Sequence, residues 1–150
     1  MGDETGVDER VSVLLARHGG VTTARIRDAL AAIGYTPRQG TTLLRLAAEP
    51  GRMGQQALAE TLCVDASVLV GILNDLEAAE LVVRRRDPAD RRRHIVAITA
   101  KGERAAVDVR SALDGVEREL FADLDPSDVT RLHGLLSRVR TRPDDPACAE

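Results

Sequence analysis

A mainly helical fold with one small β-hairpin is the class this sequence predicts, and three observations predict it. Apolar residues recur at three- and four-residue spacings over most of the chain, as amphipathic helices around one core require. Two short helical segments, "GQQALAETLCV" and "DASVLVGILNDLEAAEL", follow one another across a tight connection, a candidate helix-turn-helix. Directly after them, "LVVRRR" and "RHIVAIT" alternate β-branched and polar residues around "DPAD", a hairpin by pattern and by turn chemistry.

In chain order, Val7, Val11, Leu14, Leu15, Ile26, Ala29, Leu30 and Ile33 form the stripe of a long first helix over residues 7–33. Gly19 and Gly20 interrupt it and are expected to weaken or bend it, at about 1 kcal/mol per glycine against alanine. Gly34 suits the C-terminal cap. In "TPRQGTTLLRLAAEPG", Thr36 caps a second helix, Pro37 sits in its first turn and Pro50-Gly51 ends it. Asp65 or Ser67 caps the fourth helix, whose buried stripe is Leu69, Ile72, Leu73 and Leu76. After the hairpin, Thr99 opens a fifth helix with Ala105, Val109, Ala112, Leu113, Val116 and Leu120 on one face, and Glu103 stands near the reciprocal capping position. Pro126-Ser127-Asp128 opens a last helix with Val129, Leu132, Leu135, Leu136 and Val139. The tail, residues 142–150, is polar, proline-interrupted and expected to be disordered. A hairpin directly after a helix-turn-helix is the arrangement of a winged helix, here flanked by long helices.

Composition bounds the function. The 150 residues are enough for one domain with a real core. No run of about 18 apolar residues predicts a membrane span. The acidic start "MGDETGVDER" is unlike a secretory signal, and Cys63 and Cys148 do not make a disulfide framework, so a cytoplasmic location is expected. Tyr35 and Phe121 are the whole aromatic supply, too few for a single-strand stacking platform. There is no phosphate-binding glycine loop, nucleophile elbow or ligand-spaced cluster, so neither an enzyme nor a metal or other cofactor is expected. His18, His94 and His133 are too scattered in sequence to signal a metal site.

Charge is segregated. The chain carries a formal net charge of −3, yet six of the ten residues from Arg84 to Arg93 are arginines. Residues 81–104 hold seven arginines and one lysine against Asp87, Asp90 and Glu103, a local +5 on a remainder of −8. A turn projects such side chains beyond the body, where they can follow a phosphate backbone or enter a narrow minor groove. Local pairing, Asp90 with Arg92 for instance, would stiffen the tip without removing the field. Double-stranded DNA is the partner this pattern predicts.

The residues also carry a family resemblance. Asp90, Arg92, Val96, Ile98, Thr99 and Gly102 match the wing pattern Asp-x-Arg-x-x-x-Val-x-Leu-Thr-x-x-Gly of the MarR (multiple antibiotic resistance regulator) family, with Ile98 for Leu. Pro37, Gln39, Leu43, Leu58, Ala59 and Leu62 are similar to its second and third helices, and the likeness covers residues 36–102 well. The resemblance implies a homodimer held by the first and last two helices, with the fourth helix in the major groove and the wing in the minor groove. It also implies a repressor on a pseudo-palindromic operator, released by a small-molecule inducer or by cysteine oxidation. The division expected is residues 1–35 and 100–141 for dimerisation and 36–99 for the winged helix-turn-helix. Independently, the outer helices carry more apolar surface than a core of this size needs, and self-association would cover it.

The fourth helix departs from the family's pattern. In "SVLVGILND", Val68, Val70, Gly71 and Asp75 stand where polar contacts are usual, and only Ser67 and Asn74 keep hydrogen-bonding capacity. Base-contact candidates are Ser67, Val68, Val70 and Gly71. Phosphate candidates are Gln39, Gln55 and Gln56, and the wing set is Arg84, Arg86, Asp90, Arg91, Arg92 and Arg93, with Arg92 foremost. By position alone, Leu14, His18, Tyr35, Leu43 and Val109 are candidates for an inducer pocket. Cys63, at the turn between helices three and four, is read as a small buried hydrophobe rather than a redox sensor. The alternative function is a protein-interaction module that reuses the winged helix and docks a partner on Val68 and Val70.

Overall fold

The computed structural model describes residues 10–49, 51 and 53–140. Its helices are α1 (Val11–Ala32), α2 (Pro37–Ala48), α3 (Gln55–Leu62), α4 (Ala66–Ala78), α5 (Ala100–Leu120) and α6 (Pro126–Leu136); its strands are β1 (Met53–Gly54), β2 (Val82–Arg86) and β3 (His94–Ile98). Among these residues no single helix is long and apolar enough to cross a membrane. Val7, Pro50, Cys148 and the tail lie outside the described residues.

The expected helices and hairpin are present, with two differences. Gly19 and Gly20 do not interrupt α1, which runs unbroken for 22 residues. The cost of two glycines is small beside the cooperativity of the turns on either side. The hairpin is also not alone: β1 pairs antiparallel with β3, Met53 opposite Val96 and Gly54 opposite Ile95, giving a sheet ordered β1-β3-β2. Two residues are too few to display a period of two, so pattern alone could not reveal this strand.

Helix ends follow one device. Past α1, Tyr35 N–H reaches the Leu30 carbonyl and Gly34 N–H that of Ala31, with Gly34 at φ +87°. The same paired bonds close α3 around Cys63 and α4 around Glu80, at φ +52° and +61°. These are Schellman closures, with a left-handed residue where glycine is usual. Cys63 is therefore exposed at a helix cap, contrary to the buried position expected for it. At the other ends, Thr36 and Gln39 form a full capping box on α2. Asp65 stands at the N-cap of α4 without a side-chain capping bond. Thr99 caps α5 through the Gly102 N–H, so Glu103 is not its reciprocal partner.

The core joins α2, α3, α4, the sheet and α5 through Leu43, Leu46, Leu58, Leu69, Leu73, Leu76, Val82, Val96 and Val109, each essentially solvent-free. Of α1 only Leu30 is buried, and α6 buries nothing. One close approach locks the sheet to α5. The Leu81 carbonyl receives the Thr99 N–H at 3.0 Å and shares the Thr99 hydroxyl with the Glu80 carbonyl. It lies directly over Gly102, where any Cβ would collide with the carbonyl oxygen and with Ile98.

Gly102→Ala is therefore expected to destabilise the chain by at least about 2 kcal/mol, the upper range for overpacking. Gly71→Ala, in the open interior of α4 with nothing within 4 Å, should instead stabilise by about 0.5–1 kcal/mol. Urea denaturation of both at one protein concentration decides the matter, and equal effects would contradict the close approach.

Candidate nucleic-acid interface

Two surfaces meet where a duplex would have to be read. The first is the outer face of α4. Leu69, Ile72, Leu73 and Leu76 turn inward, and Ser67, Val70, Gly71 and Asn74 remain exposed, spaced three or four residues apart on one face. The axes of α3 and α4 bend by 107° across the Cys63 turn, within the range of a helix-turn-helix. Val68 is half-buried and packs against the core, so it offers less to a ligand than Val70, which is 37% exposed.

The second surface is the wing. Arg84 pairs with Val96, Arg85 with Ile95 and Arg86 with His94. Strand alternation puts Arg84 on the same face as buried Val82, turned toward α4. There its guanidinium donates to Glu77 Oε2 from Nε at 3.1 Å and from Nη2 at 2.6 Å, and to Asn74 Oδ1 at 2.7 Å. Its backbone N–H also reaches Glu77 Oε1 at 3.2 Å. Arg84, proposed from sequence as a DNA contact, is thus engaged within the protein and ties the wing to α4. The side-chain hydrogen bond from Arg84, then the backbone one, holds the Glu77 carboxyl below its ordinary value of 4.5 against some desolvation.

The tip is shaped by its aspartates. Asp87 Oδ1 accepts the Ala89 N–H and Asp90 Oδ1 accepts the Arg92 N–H, while the backbones of Asp87 and Arg93 and of Arg93 and Asp90 close the turn. These are Asx turns. Asp90 forms a loose pair with Arg93 at 3.5 Å, not with Arg92 as expected from sequence. Arg85, Arg86, Arg91 and Arg92 are exposed and have no side-chain partner among the described residues. Arg85, passed over in the sequence reading, belongs with this free set by its exposure.

The remaining candidates are more dispersed. Gln39 is occupied at Oε1 by the Thr36 N–H, Gln55 is half-buried at the start of α3, and Gln56 donates to Glu60 at 3.3 Å. For the inducer set, Leu43 and Val109 are solvent-free core, Leu14 and Tyr35 are half-buried and His18 is exposed. A shallow pocket of about 210 Å³ lies elsewhere, between the start of α2 and the α3–α4 turn, lined by Pro37, Arg38, Thr41, Thr42, Leu62, Val64 and Ile72. Among the described residues no three His, Cys, Asp or Glu side chains converge as metal ligands.

Known proteins share this architecture. The MarR family profile matches residues 33–93. A putative transcriptional regulatory protein for the hcr operon of Thauera aromatica is 35% identical over 106 residues, 71% of this chain. The match spans 63% of that relative, so this chain corresponds to somewhat less than two thirds of its length. A MarR family transcriptional regulator from Rhodococcus sp. RHA1 superposes with a TM-score of 0.78 at 26% identity, covering 88% of this chain and 94% of its own. CouR from Rhodococcus jostii RHA1, solved bound to p-coumaroyl-CoA, gives 0.74 at 28% identity over 92% of this chain and 99% of its own. CouR bound to a 23-mer DNA duplex gives 0.79 at 28%, over 91% and 96%. Fold, wing and sequence agree: the chain belongs to the MarR family of transcriptional regulators.

Proposed function

We propose that this chain is a homodimeric, sequence-specific DNA-binding regulator, a repressor of a pseudo-palindromic operator relieved by a small-molecule ligand. One observation carries the reading: the exposed face of α4 stands beside a wing whose Arg85, Arg86, Arg91 and Arg92 have no protein partner among the described residues. α4 is of a size to enter the major groove, and the arginines reach phosphates or the adjacent minor groove. The DNA-bound and ligand-bound forms of CouR support both kinds of partner.

The dimer is supported by what α1 and α6 leave uncovered. Val11 is 79% exposed and Leu135 53%, and Leu136 and Val139 are close behind. An 11-residue helix with no buried side chain is marginal alone in water, and a second copy supplies the missing partner surface. An inducer is proposed to lodge between the outer helices and the winged domain, at the Leu30 end of α1 where Tyr35 and Val109 meet it, since Leu14 lies about 24 Å further along the unbroken helix. The regulator is proposed to work in the cytoplasm, where its operator is.

Selection of bound duplexes from a random pool, followed by titration at two salt concentrations, tests the reading. Two half-sites one helical turn apart and a steep log-linear loss of affinity with salt are expected. A face on α4 built for a protein partner would give no enriched duplex and little salt response. Arg92→Ala should weaken binding evenly across sequences and reduce the salt slope by about 1 for each phosphate that Arg92 neutralises, with the dimer intact by sedimentation.

The Glu77–Arg84 link has its own signature. A carboxyl with a depressed folded pKa contributes stability that is full above the unfolded value of 4.5 and is lost as the pH falls through the folded one. Glu77→Gln should therefore be less stable than the parent at pH 7, and the difference should shrink as the pH drops below 4.5. Denaturation curves with a constant gap across that range would count against the link.

A further inference from the structure

The exposed face of α4 has a chemical pattern of its own. Val70 presents two methyl groups, and Gly71 next to it has open space where a side chain would stand. Asn74, one turn on, spends its Oδ1 on Arg84 at 2.7 Å. Arg84 is itself held by Glu77, so the Asn74 Oδ1 is engaged toward the protein. The NH₂, which has no partner among the described residues, is the group of this amide best placed to donate to a ligand. Asp75 borders this face on its Gly71 edge, about 40° from Gly71 and about 140° from Val70 at 100° per residue, so the Val70 edge stays free of charge.

A major-groove edge that matches an aliphatic contact beside an acceptor is that of thymine, which offers a C5 methyl and the O4 acceptor. Cytosine offers no methyl and sets its N4 donor against the Asn74 donor. Guanine and adenine supply an acceptor at N7 but nothing for Val70. Gly71 lets the helix backbone approach closely enough for the short Val70 side chain to reach the methyl. The unpartnered arginines of the wing supply the phosphate attraction that brings this otherwise neutral face to a duplex.

We propose that Val70 is a specificity-determining residue that reads a thymine C5 methyl in each half-site, with the Asn74 amide, oriented by Arg84, donating to the acceptor on the same edge. The inference rests on the DNA-binding reading above and goes beyond it by naming the base and the chemistry of its readout.

The test uses the full-length protein and the duplex recovered by selection, with each thymine of a half-site replaced in turn, symmetrically in both half-sites, by deoxyuridine. This removes one methyl and keeps O4. For the parent protein, one position is expected at which affinity falls about fourfold per half-site, the worth of one buried methyl group. All other thymines should be indifferent. For Val70→Ala that position should lose its sensitivity while the salt slope stays unchanged, the non-additivity that marks direct contact. Because the deoxyuridine series is read on the parent protein, it stands whether or not the variant folds. A duplex that binds tightly and tolerates uridine at every position overturns the Val70 inference and leaves the DNA-binding reading intact. A sensitive position that remains equally sensitive in folded Val70→Ala also overturns it. Failure to enrich any duplex overturns both.

Discussion

The close approach of the Leu81 carbonyl to Gly102 holds α4, the wing and α5 in one frame. At this point α4 has just ended, β2 is about to begin, and β3 hands the chain to α5. Thr99 serves two of these junctions at once, through its N–H and hydroxyl to the end of α4 and its side-chain oxygen to the start of α5. Lys101, the chain's single lysine, adds its ammonium to the Ala79 carbonyl at 2.8 Å. A cation at a helix C-terminus is favourably placed in the field of the helix. The Thr-x-x-Gly of the wing pattern is therefore a packing requirement: a hydroxyl that bridges two helix ends, then a residue with no Cβ beneath a carbonyl.

Within that frame the arginines divide into two kinds by whether they reach α4. Arg84 shares a face with Val82 and is drawn inward to Glu77, where it is 23% exposed as a side chain. A charge in that position is stable because both of its partners sit on α4 and the remaining donors meet solvent. The same bonds set the angle between helix and wing, which a regulator must hold if two grooves are to be read together. Arg85, Arg86, Arg91 and Arg92 are left outside. Asp87 and Asp90, which could have neutralised them, give their oxygens mainly to backbone N–H groups of the turn. The tip is thereby rigid and still positive.

Much of this is legible from the residues. Apolar spacing locates all six helices, the alternation around "DPAD" locates the hairpin, and the wing motif locates the family. What is not legible depends on pairs distant in sequence. Arg84 looks like its neighbours until the parity with Val82 is followed and Glu77, seven residues earlier, is known to lie beneath it. Gln39 reads as a polar surface residue until the reciprocal bond to the Thr36 N–H is seen, although Thr-x-x-Gln is a capping signal in plain view. Cys63 misleads because its residue type points to burial. Its backbone conformation, which only the turn into α4 reveals, puts it outside.

The distribution of charge completes the physical picture. On the proposed reading, an acidic body with a basic wing and a largely uncharged α4 face separates two tasks that many DNA-binding helices combine. Attraction to the phosphate backbone is long-ranged and indifferent to sequence, and here it is concentrated at the hairpin tip. Ser67, Val70, Gly71 and Asn74 on the face of α4 are all uncharged, and the exposed Asp75 at its Gly71 edge opposes phosphate rather than attracting it. On that reading the contacts of this face would act only at van der Waals or hydrogen-bond distance, and would discriminate among bases without adding to non-specific adhesion. The −8 carried by the remainder of the chain opposes that adhesion further. On this division, raising the affinity of the wing increases occupancy of every duplex alike, and selectivity changes only through the small side chains on α4.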